Sequence, residues 1–388
     1  MSVISLGCRL NIAESERIDA MLGEGDDRVV INSCSVTAEA VRDTRRAIRR
    51  ARRDHPTARL FVTGCAAETE RTALAGLQEV DEVIANARKL FPASYSLDKP
   101  VPVMRPATRT RSFVAIQNGC DHACTFCIIP EGRGPSRSLS VEAVLSEIEQ
   151  HLARGTAEIV LTGVDVTAWG ADLEGAPRLG ALVAAILNRF PSLARLRLSS
   201  LDGAEIDPQL MDIIGGEARV MPHLHLSLQH GHNLILKRMK RRHSREQALA
   251  LVAKLRARRP EIAIGADLIA GFPTESEDHH HANVSLIREL GIVHGHIFAF
   301  SPRHDTPAAR MPQVRPETIK ARAAALRAEI AFTRAEWLAS LIGRPLRVLA
   351  EKDGRGYAEN YARVATPATP PGTIAVITPH HLEDDLLQ

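Results

Sequence analysis

The stretch Cys120-Asp121-His122-Ala123-Cys124-Thr125-Phe126-Cys127 brings three cysteines into eight positions. Thiolates are the usual ligands of iron–sulfur clusters, and a complete 4Fe–4S site takes four of them. Three at this spacing leave one iron open, and an open iron can bind something else. Zinc also accepts thiolates, but it wants four ligands and commonly takes cysteines in close pairs. His122 could make up the number, yet it lies between two of the sulfurs on a tight loop. Three unligated thiols this close together are hard to explain by packing.

The other cysteines, Cys8, Cys34 and Cys65, bring the count to six. Each stands just past a short apolar run, at residues 3–6, 29–31 and 60–62. Helical segments follow these runs. Asn11 is expected to cap the first, with Glu14 in capping-box register, and Thr37 opens an arginine-rich second. A fourth strand is expected near residues 83–85. Strands alternating with helices build a parallel sheet. Ligands bind such sheets at the carboxyl ends of the strands. The spacing therefore predicts that these three cysteines meet in a second cluster site with an open iron. In a reducing cytosol, disulfides are not the expected use of the six.

The 388 residues exceed one ordinary core and predict two or three domains. Hydrophobic content of 45% and charged content of 24% are those of a globular protein. No apolar run has the length of a membrane span. The start lacks a secretory signal, so a cytoplasmic location with no membrane partner is expected. A net charge of +3 advertises no nucleic acid by itself. The charge is uneven, however. Arg42, Arg45, Arg46, Arg49, Arg50, Arg52 and Arg53 form one basic run, and Lys237, Arg238, Lys240, Arg241 and Arg242 form another. Each reads either as a solvated helix face or as a phosphate-contacting stripe.

Residues 92–110, with Pro92, Pro100, Pro102 and Pro106, read as a linker. Beyond it, strand-like runs at 113–117, 158–161, 195–198, 223–228, 263–269 and 293–300 alternate with helical ones. These units are fewer than the eight of a closed barrel. A partial barrel follows, with its active edge at the carboxyl ends of the strands. The three-cysteine loop comes directly after the first of them. A long helix is expected over 315–341. The remainder has the glycine turns and β-branched runs of a small all-β barrel.

The octet, including Phe126 before its last cysteine, resembles the signature of radical S-adenosylmethionine (SAM) enzymes. The resemblance extends along the chain. It is carried by Gly7-Cys8-Arg9-Leu10-Asn11, Asn32-Ser33-Cys34-Ser35-Val36-Thr37, Thr63-Gly64-Cys65-Ala66, Ile128-Ile129-Pro130 with Arg133-Gly134, Leu226-Ser227-Leu228-Gln229, Gly271-Phe272-Pro273-Thr274-Glu275 and Phe300-Ser301-Pro302-Arg303. Together these resemble the radical-SAM methylthiotransferases. Gly356-Tyr357-Ala358-Glu359-Asn360-Tyr361 resembles the RNA-binding TRAM module. The sequence departs from the family pattern at Glu131 and over Gln229-His230-Gly231-His232-Asn233.

The resemblance implies an α/β chain in three parts. These are a parallel α/β methylthiotransferase domain over 1–94, a partial (β/α)6 radical-SAM barrel over 107–335 and a TRAM-like barrel over 336–388. It implies two 4Fe–4S clusters, on Cys8, Cys34 and Cys65 and on Cys120, Cys124 and Cys127. It implies SAM beside Phe126, Gly163, Ser199, Ser200, Gln229, Ile269 and Gly271. Arg133, Arg137, Asp165, Tyr357 and Tyr361 are the expected substrate contacts. The expected partners are a tRNA anticodon arm and an electron donor such as flavodoxin or ferredoxin. The implied reaction is radical transfer of a methylthio group to C2 of an adenosine in tRNA. Gly-Cys-Arg-Leu-Asn looks most like the branch acting on threonylcarbamoyladenosine. The isopentenyladenosine branch tends to carry Gln-Met after the first cysteine, and the ribosomal-protein branch Pro-Lys. A non-catalytic iron–sulfur RNA-binding protein is the reading from another class.

Overall fold

The computed structural model describes residues 3–23, 27–97 and 109–388. Pro100, Pro102 and Pro106 of the expected linker lie outside the described residues. Pro92 instead starts a short 3-10 turn, Pro92–Tyr95, and Tyr95 is fully buried edge-on to Phe61. Leu97 packs on the same cluster, so the first core reaches slightly past the expected limit at residue 94.

Strands Val3–Ser5, Arg28–Ser33, Arg59–Gly64 and Glu82–Val83 pair in parallel and in chain order. Their side chains alternate between two faces. Val30 and Phe61 pack against Ile18 and Leu22 of helix Arg9–Leu22 on one face. Val29, Ile31, Leu60 and Val62 pack against Ile48 and Ala51 of helix Ala38–Asp54 on the other. Thr37 caps this second helix, its hydroxyl accepting from Ala40 N at 3.1 Å. Asn11 does not cap the first, which begins at Arg9 with Cys8 as its N-cap. Asn11 Nδ2 instead donates to the carbonyls of Leu6 (2.6 Å) and Ser33 (2.9 Å), tying two strand ends together.

The central strands form two parallel three-stranded sheets. One holds Arg111–Ala115, Glu158–Thr162 and Arg195–Leu198, and the other His223–Gln229, Ala263–Ala270 and Ile292–Ala299. Bridges Leu196↔Val220 and Leu201↔Leu226 join them into an open barrel. Leu161, Leu196, Leu226 and Leu268 belong to the main core shared with the outer helices. The alternate residues point into the lumen. Ile12 and Ala13 of the first helix pack on Phe113, Ala115 and Val160, so the N-terminal unit covers the barrel's open side.

Helix Pro316–Ala339 packs along the last barrel strand and leads into a six-stranded sheet. Leu338 and Leu341 join the core of that sheet with Val348, Ala358, Val364 and Leu387. The turn at residues 357–361 is held at the amino ends of the barrel strands. Arg195 donates to the carbonyls of Tyr357 and Arg347, and Arg197 to those of Ala358 and Glu359. Glu158 is fully buried and faces Arg197 at 2.8 Å, Arg195 at 3.6 Å and Arg111 at 3.9 Å. Breaking a buried ion pair from one side leaves a bare charge, at about 3–5 kcal/mol. Arg195→Ala should lower stability by less than that in chemical denaturation, because Arg197 still faces Glu158 at 2.8 Å. It should also speed proteolysis of the C-terminal sheet relative to the barrel.

Candidate active site

The octet lies between the first barrel strand and the short helix Ile129–Arg133, and its middle is tied to distant elements. Thr125 N donates to Met239 O (3.2 Å), and its hydroxyl donates to Arg238 O (2.8 Å). Thr125 O accepts from Ala308 N at 2.9 Å. Phe126 meets Phe272 edge-on and packs on a cluster containing Ile269, Met239 and Phe300. Two residues expected at the SAM site, Phe126 and Ile269, thus share one apolar floor beneath the loop.

Donors converge on the three sulfurs. Cys120 accepts from His122 N (3.5 Å), Cys127 from Ile129 N (3.4 Å), and Cys124 from Arg241 Nη1 (3.5 Å). Hydrogen bonds to sulfur tune iron–sulfur sites. Burial, with neighbouring Asp165 and the other two sulfurs, pushes the Cys120 thiol up to about 12. Burial likewise raises Cys127 to about 11. Without a cation the Cys120 and Cys127 thiols stay protonated near neutral pH. A coordinating metal reverses that preference.

The second triad sits at the carboxyl edge of the N-terminal sheet. Cys34 and Cys65 directly follow their strands, and Cys8 stands at the start of the first helix. Burial pushes the Cys34 thiol up to about 11, and Cys65 and Cys8 are close enough to raise it further. Gly7 has a φ of +87°, and a Cβ there would lie 2.8 Å from Cys34 Sγ. Only glycine leaves that space, which an iron–sulfur group would use. The two triads also approach each other. Helix Cys65–Thr69 packs against helix Ile129–Arg133, and Cys65 is among the charges felt at Cys127.

Between them lies a buried knot of charge. Arg133 donates to Glu14 Oε1 (3.0 Å), Glu14 Oε2 (3.1 Å) and Asn118 Oδ1 (2.8 Å), and also to Asn11 Oδ1. Lys89, also buried, pairs with the same Glu14 carboxylate. Arg133 was expected to meet substrate. Its guanidinium is instead consumed in joining the two domains. Glu14 was expected in a capping box. It is instead the buried carboxylate of this knot. Burial opposes its ionisation, but Lys89 and Arg133 outweigh burial and hold its pKa below the usual range.

The remaining expected residues divide. Ser199 is buried and its hydroxyl has no hydrogen-bond partner among the described residues, as suits a group awaiting a ligand. Ser200 is half-buried beside it. Gln229 stands at the bulge ending its strand, with a φ of +68°. Gly163 abuts Gln117, whose Oε1 accepts from the amides of Val164 (3.0 Å) and Asp165 (2.9 Å). Gly271 serves packing, since a Cβ there would meet Ile319 at 2.5 Å. Asp165 is buried and paired with His122 of the octet. Arg137 is exposed on the short ribbon that pairs it with Asn118. Tyr361 is buried, with Arg197 3.9 Å above its ring, and Arg111 lies 4.7 Å from the ring centre of Tyr357. Both rings, expected on RNA, are engaged with barrel arginines.

In the second basic run Lys237, Lys240 and Arg242 are exposed, while Arg238 and Arg241 are half-buried. Arg238 bonds Thr274, Arg241 bonds Asp202 and Ser227 O, and Arg242 bonds Asp202 and Glu205. Lys89 and Asp202 were missed in the sequence because nothing local distinguishes them from surface charges.

Glu14 contributes stability above the ordinary carboxylate range, and that contribution is lost as pH falls through its lowered pKa. Denaturation midpoints of the wild type should therefore drop on acidification, while Glu14→Gln is less stable at neutral pH and changes less with acid.

Comparison with known proteins agrees with this arrangement. Residues 114–287 match the radical SAM superfamily, and residues 1–85 match the uncharacterized protein family UPF0004. Threonylcarbamoyladenosine tRNA methylthiotransferase MtaB of Rickettsia prowazekii is 41% identical, over 93% of this chain and 90% of its own. The MtaB of Aquifex aeolicus is 32% identical over 92% and 94%. A tRNA-2-methylthio-N(6)-dimethylallyladenosine synthase of Cereibacter sphaeroides is 32% identical over 90% and 86%. Among solved structures, the radical SAM methyltransferase TsrM of Kitasatospora setae matches with a TM-score of 0.54 and 16% identity. That match covers 72% of this chain and 63% of TsrM, and it bears on the fold. With relatives this similar over almost its whole length, the chain belongs to the radical SAM methylthiotransferase family.

Proposed function

We propose that this enzyme transfers a methylthio group to C2 of N6-threonylcarbamoyladenosine at position 37 of tRNA. The observation that carries the reading is the meeting of two three-cysteine sites across one buried ion cluster, in a chain most similar, among the relatives above, to an MtaB. An iron–sulfur cluster with an open iron and SAM, when bound, supplies the one-electron chemistry that an unactivated ring C–H requires.

The protein's own part is to hold and aim. Cys120, Cys124 and Cys127 are the ligands on the barrel side, and Cys8, Cys34 and Cys65 those on the sheet side. Ser199, Ser200, Gln229 and Ile269 lie on the barrel edge where SAM would be oriented. Arg133 and Glu14 keep the two sites in register. The C-terminal sheet is TRAM-like, and its fixed turn sets where tRNA is presented. The units correspond to residues 1–94, 107–335 and 336–388, with small adjustments at the joins. No helix among the described residues is long and apolar enough to cross a membrane. A cytoplasmic enzyme served by flavodoxin or ferredoxin fits the chemistry.

Helix Ala38–Asp54 supports the RNA reading. Arg42, Arg46, Arg49 and Arg53 are exposed and spaced along one face. Ala38 N donates to Ser301 Oγ at 3.3 Å, so the helix begins beside the carboxyl edge of the barrel. Replacing these four arginines by glutamine should weaken tRNA binding. The slope of log K against log salt should become shallower by up to about 0.9 for each lost phosphate contact.

Anaerobic reconstitution followed by iron analysis tests the pair of cysteine sites. About eight irons per chain are expected, and about four for Cys8→Ala. About four in the wild type, unchanged by Cys8→Ala, would remove the second site. Nucleoside analysis of tRNA after turnover tests the substrate.

A further inference from the structure

We infer that Arg9, reaching into the barrel lumen, reads the carboxylate on the N6 substituent of the target adenosine and so sets the enzyme's preference for an anionic over an apolar substituent. This rests on the function proposed above and names the residue that selects its substrate.

Arg9 directly follows Cys8, and the next turn of its helix, Ile12 and Ala13, packs inside the barrel opening. Its guanidinium lies 5.7 Å from the centre of the Tyr361 ring. The arginine therefore joins a cluster ligand of the sheet domain to the lumen of the barrel. The other arginines around this ring are already neutralised. Arg111 pairs with Glu351 at 2.8 Å, and Arg195 and Arg197 are shared between Glu158 and backbone carbonyls. Arg9 has no carboxylate or carbonyl partner among the described residues, and its contact is the Tyr361 ring. A guanidinium carries five N–H donors in a planar fork suited to a carboxylate. A half-buried arginine held by a ring face alone keeps that fork free.

Asp267, a further acidic group on this wall, does not compete for it. Asp267 Oδ1 lies 3.0 Å from His225 Nε2 and 3.0 Å from His296 Nδ1. His296 is 63% exposed in its side chain, leaving a histidine edge on the open wall. A lumen offering one free guanidinium and histidine edges suits a carboxylate and hydroxyls. A purely apolar chain would leave that guanidinium unpaired.

The chemistry of the base agrees. C2 and C6 flank N1 in the adenine six-membered ring, so the bonds that leave C2 and C6 point in diverging directions. A base presenting C2 to the cysteine sites therefore extends its N6 substituent away from them. A threonylcarbamoyl group ends in a carboxylate and a hydroxyl, whereas a dimethylallyl group ends in methyls. A charged partner bonded to carboxylate discriminates against substrates that lack it, because its own donors are then left unpaired.

The test uses reconstituted holoenzyme and two tRNAs, one carrying threonylcarbamoyladenosine and one with that carboxylate converted to its methylamide. Arg9→Gln should raise KM for the anionic tRNA by roughly tenfold to a hundredfold. It should keep the iron content of the wild type and change kcat much less than KM. Arg9→Lys should recover part of the loss. On the methylamide tRNA, wild type and Arg9→Gln should behave alike. Equal losses on both tRNAs, or a fall in iron content, would overturn the inference and make Arg9 a structural support of Cys8. A wild type that leaves threonylcarbamoyladenosine unmodified overturns the function itself, and that result shows in the wild-type arm alone.

Discussion

The paired use of two cysteine triads depends on a carboxylate buried where no isolated charge can be stable. Glu14 comes from the first helix, Arg133 from the segment after the octet, and Lys89 from the end of the N-terminal unit. Each would be costly to bury alone. Together they neutralise one another, and the bidentate geometry between Arg133 and Glu14 restricts how the domains can turn. Asn11 adds the strand ends to the same knot by bonding the carbonyls of Leu6 and Ser33. The residues flanking Cys8, Cys34 and Cys127 are thus held by one set of interactions.

A second charged cluster does the same work at the other end of the barrel. Glu158 gathers Arg111, Arg195 and Arg197, and two of these reach on to carbonyls of the C-terminal sheet. Tyr361 fills the space they enclose. The consequence is a barrel bounded on two sides by other domains, with the cysteine loop at its carboxyl edge. The first helix covers the gap that a six-stranded barrel leaves open. Substrate specificity can then depend on side chains from more than one domain.

Much of this was legible in the chain. Strand and helix positions followed from apolar periodicity, because the barrel strands are buried on their outer face by helices of ordinary length. Helices Arg245–Arg258 and Glu277–Leu290 end where the pattern ends. Capping was less legible. Asn11 and Glu14 have the spacing of a capping box, but Asn11 finds better partners in strand ends distant in sequence. Tyr357 and Tyr361 have the look of an RNA-stacking surface, yet their neighbours in space are arginines far earlier in the chain. At 237–242 Lys237 and Lys240 lie on a solvated face, and the pairing of Arg241 and Arg242 was not legible, since Asp202 and Glu205 lie in another loop.

The sequence by itself determined the chemistry available. Three cysteines within one loop need no fold to be recognised as cluster ligands, because their spacing already places the sulfurs close together. The three strand-end cysteines needed only the rule that parallel strands share a carboxyl edge. Only the tertiary structure decided which charges are free. Arg133, Arg195, Arg197 and Arg241 are chemically equivalent to Arg9 and Arg42 in a linear chain. Burial beside a specific carboxylate or carbonyl makes the first four structural. The absence of such a partner among the described residues leaves Arg9 available. Long-range electrostatic pairing depends on three-dimensional proximity, and local sequence does not encode it.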